Sequence, residues 1–177
     1  STTKEWIFGY KVHLACYAEL ELPLAFTVTP ANVYDSQECF TLLSKIARSG
    51  IKFEYVVADA GYDSRDNYYV ISHIYHSVPI IAMNRRNLKR EAREFRNYLP
   101  IKRDVDLWKS LYQERGAVER VFSRLKEELA PKMVKVHRIN NVETHVATSL
   151  ITMLRVALVA IKSGNVDFSK SVNSFGF

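Results

Sequence analysis

Four apolar residues in a row, Tyr55-Val56-Val57-Ala58, closed by Asp59-Ala60-Gly61, constrain the fold more than any other feature of the chain. A short run without alternation suits a strand covered on both faces, as in a parallel sheet. Parallel strands need long crossovers, commonly helical, so helices are expected on the sheet. In open α/β sheets ligands bind outside the carboxyl ends of the strands, and Asp59 follows this strand directly. A carboxylate there is well placed to hold a hard metal ion. Asp-x-Gly is also common turn chemistry, and the residue types alone leave the two readings even.

The rest of the chain supplies matching elements. Trp6 to Tyr17 is rich in aromatic and β-branched residues and reads as a strand. Ala18–Pro23 turns it back into a second strand, Leu24 to Thr29, and Pro30 ends the hairpin. Asp35 or Ser36 is expected to cap a helix running to about Arg48, with Phe40, Leu43, Ile46 and Ala47 inward and Gly50 as its stop. Ser64 caps the next helix, to about His76, and Val78 to Ala82 is a further buried strand. A helix from Leu107 or Ser110 to Leu129 and another from Asn141 to Lys162 complete the order. These elements predict an α/β domain, a mixed sheet flanked by helices, over residues 1–164, with a basic insert at 84–106 and a loose tail at 165–177.

Charge is concentrated rather than spread. The net charge is +6, and the stretch from Arg85 to Arg103 carries eight bases against two acids, which accounts for all of it. Arg85, Arg86, Lys89, Arg90 and Arg93 form its densest part. The stretch reads either as a solvated charged segment or as a patch that contacts phosphates and releases counterions from DNA. Cys16 and Cys39 have neither metal-ligand spacing nor a disulfide framework, which fits a reducing, cytoplasmic setting. The apolar stretch Val142 to Ile161 is interrupted by Glu143, His145 and Arg155, so a buried helix is expected and no membrane partner.

The helix around Glu119 adds a second group of polar residues. Tyr112, Arg115, Glu119 and Lys126 follow at intervals of three, four and seven residues. At about 100° per residue they share an arc of roughly 60° on a continuous helix, beside the apolar arc of Leu111, Val118, Val121, Phe122 and Leu125. Such a stripe lines a cleft at the border of core and solvent, or is simply an exposed helix with an Arg115–Glu119 pair. His73 and His76 lie three residues apart with no third ligand near in sequence, and read as solvated or satisfied histidines.

Tyr112-x2-Arg115-x3-Glu119-x6-Lys126 resembles the Y-R-E-K pattern of the DDE transposases of bacterial insertion sequences, in residue type and in spacing. Ala58-Asp59-Ala60-Gly61-Tyr62-Asp63-Ser64 looks like the segment with that family's second catalytic Asp. Phe8-Gly9-Tyr10-Lys11-Val12-His13 and Thr29-Pro30-Ala31-Asn32-Val33-Tyr34-Asp35 resemble its hairpin strand and the loop after the hairpin. The resemblance implies an RNase H-like catalytic domain that cuts and joins DNA with Mg²⁺ or Mn²⁺. It implies Asp59 and Glu119 as catalytic metal ligands, and Tyr112, Arg115 and Lys126 as DNA contacts. It further implies DNA as partner, a homodimer in the active assembly and a bacterial, nucleoid-associated setting. A DNA-binding module without chemistry, or another RNase H-like nuclease, remain as alternatives.

One family element has no counterpart in the chain. The first carboxylate of the family sits on the first strand of the sheet, ahead of the hairpin, and no segment before Trp6 can form that strand. The chain opens at Ser1 without Met, so a truncated catalytic domain is expected, with buried strand edges that lack their partner. Asp35, Asp63 and Asp66 are substitutes in principle. Asp35 is expected to be used as a helix cap and Asp63 in a turn.

Overall fold

The computed structural model describes residues 9–84, 100–129 and 138–170. It opens on an antiparallel hairpin of β1 (Tyr10–Tyr17) and β2 (Leu22–Pro30). Leu14 faces Phe26 and Ala15 faces Ala25 across it, after which the register shifts between Ala15 and Cys16. A 3-10 turn, Asp35–Glu38, leads into α1 (Cys39–Arg48), and Gly50 closes that helix with a left-handed φ of 76°. β3 (Tyr55–Ala58) pairs in parallel with β4 (Val78–Ile81). Between them lie α2 (Arg65–Tyr69) and a π turn, Val70–Ile74. Ser64 caps α2 as expected, its Oγ accepting the Asn67 N–H at 3.3 Å.

The C-terminal half is helical. α3 (Asp106–Gln113) and α4 (Gly116–Arg124) follow one another, α4 running on into a π turn, Leu125–Leu129. α5 (Ile139–Lys162) is the longest element, and a 3-10 turn, Val166–Lys170, packs back on it within the segment expected to be loose. The fold is a mixed α/β one, with helices against both faces of the hairpin. On one face Ala15 and Ala25 meet Leu42, Leu43 and Ile46 of α1, together with Tyr68, Ile71 and Ile81. On the other face Val12, Leu14 and Phe26 meet Val121 and Leu125, and Val146, Leu150 and Met153 of α5. This alternation follows from the period of two along a strand.

Several expectations are corrected. α1 turns Cys39, Leu42, Leu43 and Ile46 inward, while Phe40 and Ala47 are exposed. The 3-10 turn absorbs the first residues and resets the helical phase. Neither Asp35 nor Ser36 caps the helix. The N-cap of the 3-10 turn is Tyr34, without a side-chain bond, and Asp35 is held by Lys11 instead. The single helix expected up to Leu129 is divided at Glu114–Arg115. There the Arg115 N–H bonds the Tyr112 carbonyl and the Ala117 N–H the Glu114 carbonyl, a tighter 3-10 spacing beside Gly116. α5 buries Val146, Leu150, Met153 and Ala157 but exposes Ile151, Leu154 and Leu158. It is long and apolar enough to cross a membrane by length and composition, a test that core helices also pass.

The two strand pairs share the core around α1 but form separate two-stranded sheets. Among the described residues no strand joins them. β3 is half-buried along all four residues, although its sequence is that of a strand covered on both faces. Its neighbour β4 buries Pro79, Ile80 and Ile81 completely.

Candidate active site

Asp59 stands where β3 ends. Its backbone is extended, and its Oδ1 accepts the Gly61 N–H at 2.8 Å, which starts the 3-10 turn Ala60–Tyr62. The turn-residue reading of Asp59 is therefore realised. It still leaves the other carboxylate oxygen on an exposed side chain. A Cβ on Gly61 would lie 2.9 Å from Asp59 Oδ1 and 3.2 Å from Asp35 Oδ2. Two carboxylates thus crowd one small space above this glycine. Asp35 was expected as a helix cap and only in principle as a substitute for the first carboxylate, yet the fold brings it beside Asp59 from the end of the hairpin.

Asp35 is set by β1. Lys11 Nζ donates to its Oδ1 at 3.0 Å and to the Val33 carbonyl at 2.9 Å. His13 Nδ1 is 3.6 Å from the same oxygen, and its Nε2 is hydrogen-bonded to Thr29 Oγ1 at 2.8 Å across the hairpin. His13 is buried, and burial lowers its pKa despite the opposing charges of Asp35 and Glu38. Tyr62 responds to the same acids. Burial raises its phenol well above the ordinary range, and Asp35 and Asp59 add to the shift. Asp63, the other substitute, is consumed structurally: it is buried, accepting from the Tyr68 hydroxyl at 2.8 Å and from the Asn84 N–H at 2.7 Å.

Three of the four helical residues meet across the α3–α4 junction. The Arg115 guanidinium lies 6.0 Å from the Tyr112 ring centroid and is ion-paired to Glu119. This is the i,i+4 pair expected of an exposed helix. The hydrogen bond that Arg115 donates to Glu119 is the main reason that the Arg115 pKa is raised, against a smaller lowering by burial. Glu119 and Lys126 also border one cavity of about 650 Å³, with Tyr10 and Lys11 of β1 and His145 and Ser149 of α5. Arg85, Arg86, Lys89, Arg90 and Arg93 lie outside the described residues.

The donor set is all oxygen, which suits Mg²⁺ or Mn²⁺ in kind. Among the described residues, however, no three acidic, histidine or cysteine side chains are gathered closely enough to hold an ion. Fold and site together define an α/β domain with acids and bases converging at a strand end. A family model described as Transposase DDE domain matches residues 1–155, and the chain belongs to that family. The family acts on DNA in transposition and generally uses a divalent metal. No curated protein and no solved structure matches the chain.

Proposed function

We propose that the chain is the catalytic region of a DDE transposase, performing metal-dependent nicking and strand transfer at transposon ends on an RNase H-like fold. The observation that carries this is the convergence of the Asp59 and Asp35 carboxylates over Gly61 at the end of β3, in a chain that belongs to the DDE transposase family. In this reading Asp59 and Glu119 are the ligands for Mg²⁺ or Mn²⁺. When bound, such ions activate the attacking oxygen and stabilise the leaving one. Glu119 must then exchange Arg115 for the cation, and Arg115 is released toward a DNA phosphate, which its fork matches. Lys126, which borders the same cavity as Glu119, supplies a point charge, and Tyr112, stacked on Trp108 and beside Arg115, a hydroxyl or stacking surface. Arg85, Arg86, Lys89, Arg90 and Arg93 add phosphate contacts, in a homodimer on paired ends in the bacterial cytoplasm.

The separated sheets support one more part of the reading. β1 and β3 each have one edge with no strand partner among the described residues, and both pack on α1. A further strand that ends in a carboxylate would pair there and complete the ligand set. Sequencing the encoding DNA upstream of Ser1 tests this. An in-frame apolar strand ending in Asp is expected, and a stop codon or unrelated sequence removes catalysis from this chain. In the complete enzyme, Glu119→Gln should abolish cleavage and leave DNA binding largely intact; unchanged cleavage refutes the assignment.

A second reading rests on the Arg115–Glu119 ion pair. Arg115 occupies Glu119, and no three-ligand group is formed among the described residues, as in a remnant that binds DNA without chemistry. DNA binding that is independent of metal, with no nicking by the complete protein, favours it.

A further inference from the structure

We propose that Glu21, in the turn of the β1–β2 hairpin, is a positioning residue that sets the rotation of α4 and thereby the place of Glu119. The proposal rests on the reading of Glu119 as a working carboxylate.

Glu21 is buried and reaches 103 residues along the chain. Its Oε1 takes the Arg120 Nε–H, and its Oε2 lies 3.1 Å from Arg124 Nη2. Arg124 Nη2 also donates to the Glu21 carbonyl at 2.9 Å, and Nη1 to the Lys170 carbonyl at 2.7 Å. One guanidinium, 11% exposed, thus ties the hairpin turn, α4 and the C-terminal 3-10 turn together. The backbone at Glu21 has a φ of 52°, a region that residues with a Cβ adopt at a cost. Glycine or asparagine is the ordinary choice there. A glutamate in that place is accounted for by what its carboxylate holds.

The geometry makes this a rotational clamp. Arg120 and Arg124 are four residues apart and share a face of α4, about 100–140° around the helix from Glu119. Val121 fixes the helix radially, since it is fully buried against the hairpin. Radial packing alone leaves rotation soft. A side-chain tip stands about 6 Å from a helix axis, so a turn of about 10° carries Glu119 by about 1 Å. A misplacement of that size can lower a rate by about a hundredfold. Arg120 follows Glu119 directly in sequence, so the clamp acts beside the carboxylate it positions.

The test uses Glu21→Gln, which keeps shape and removes charge, and Arg124→Lys, which keeps charge and removes the fork. Two readouts are taken: amide hydrogen exchange on the chain itself, and cleavage kinetics on the complete enzyme. Exchange in α4 should quicken by about tenfold or more, with β3 and β4 unchanged. Turnover should fall by about 10- to 100-fold while KM for DNA stays within about twofold. Uniformly faster exchange in both variants, or full turnover in a folded variant with exchange in α4 at the wild-type rate, overturns the clamp. If Glu21→Gln does not fold, Arg124→Lys decides alone. If the wild-type enzyme does not cleave DNA, the functional reading fails, and the exchange pattern still decides whether the clamp exists.

Discussion

Gly61→Ala is the substitution whose effect follows most directly from the geometry. Gly61 does not need a positive φ, so alanine meets no backbone penalty. The new methyl would stand 2.9 Å from Asp59 Oδ1 and 3.2 Å from Asp35 Oδ2. Ordinary contact begins near 3.4 Å, so the Asp59 oxygen must retreat by about half an ångström, and the Asp35 oxygen by less. Metal–ligand distances tolerate about 0.2 Å, and disturbing the partners that orient a ligand typically weakens metal binding by about 10- to 100-fold. The structural cost is smaller. Asp59 is exposed, and at most its bond with the Gly61 N–H is weakened, about 1 kcal/mol. Mn²⁺ binding to the complete enzyme, followed by the electron paramagnetic resonance of the free ion, should weaken at least tenfold in Gly61→Ala. Urea unfolding in parallel should change by about 1 kcal/mol. Wild-type Mn²⁺ affinity refutes the placement of the cation at Asp59. A loss of stability above about 3 kcal/mol refutes the separation of site from scaffold.

Three further outcomes are expected. Val121→Ala removes two methyl groups from a fully buried position between the hairpin and α4, and should lower the unfolding free energy by about 2 kcal/mol in urea; a change under about 0.5 kcal/mol would mean that this interface is not packed as described. His13 is depressed below its ordinary value of 6.5 by burial, so the unfolded chain binds the proton more readily. Stability that is present above that value is lost as pH falls through it, and wild type should lose more between about pH 7.5 and 5.5 than His13→Gln does, by urea midpoints; equal losses count against the buried neutral imidazole. Burial pushes the thiols of Cys16 and Cys39 up to about 11 and about 12. At pH 8 about one Cys16 in a thousand is then thiolate, so a disulfide-exchange reagent should label neither cysteine in the native chain and both in urea; rapid native labelling contradicts the packing of β1 and α1.

The parts of the fold that were legible are those in which a local signal has one local meaning. The run Tyr55–Ala58 forms a strand of those bounds, Asp59 follows it, and Ser64 caps its helix. The Arg115–Glu119 contact was legible for the same reason, since a spacing of four brings side chains together on almost any helix. Where a partner is distant the residue types were silent. Nothing around Asp35 indicates that Lys11, 24 residues earlier, takes its carboxylate away from the helix end. Nothing around Glu21 points to Arg124. The division of the long helix did leave a signal. Gly116 lies beside it, and a glycine inside a helix both loosens the backbone and marks a place where the ladder can change. Charge carried the least information: the basic stretch that accounts for the net +6 falls largely in residues 85–99, outside the described ones.

The remaining mismatch between sequence and surroundings lies in β3. An unbroken apolar strand is the mark of burial on both faces, and β4, its parallel partner, meets that standard with three consecutive residues fully buried. β3 does not: Tyr55, Val56, Val57 and Ala58 are all half-buried, and among the described residues only one edge is hydrogen-bonded to a neighbouring strand. Unpaired backbone groups and uncovered apolar side chains on one short strand are costly together, and proteins commonly shield such edges with charge, proline or a covering element. β3 carries no charge and no proline. The strand proposed to pair between β1 and β3 would remove both costs at once, and its carboxyl end would fall beside that of β3 if it ran parallel. The position that restores the sheet is therefore also the position from which a third carboxylate would reach the space next to Asp59. In the proposed reading, fold stability and chemistry thus make the same demand on the same strand edge.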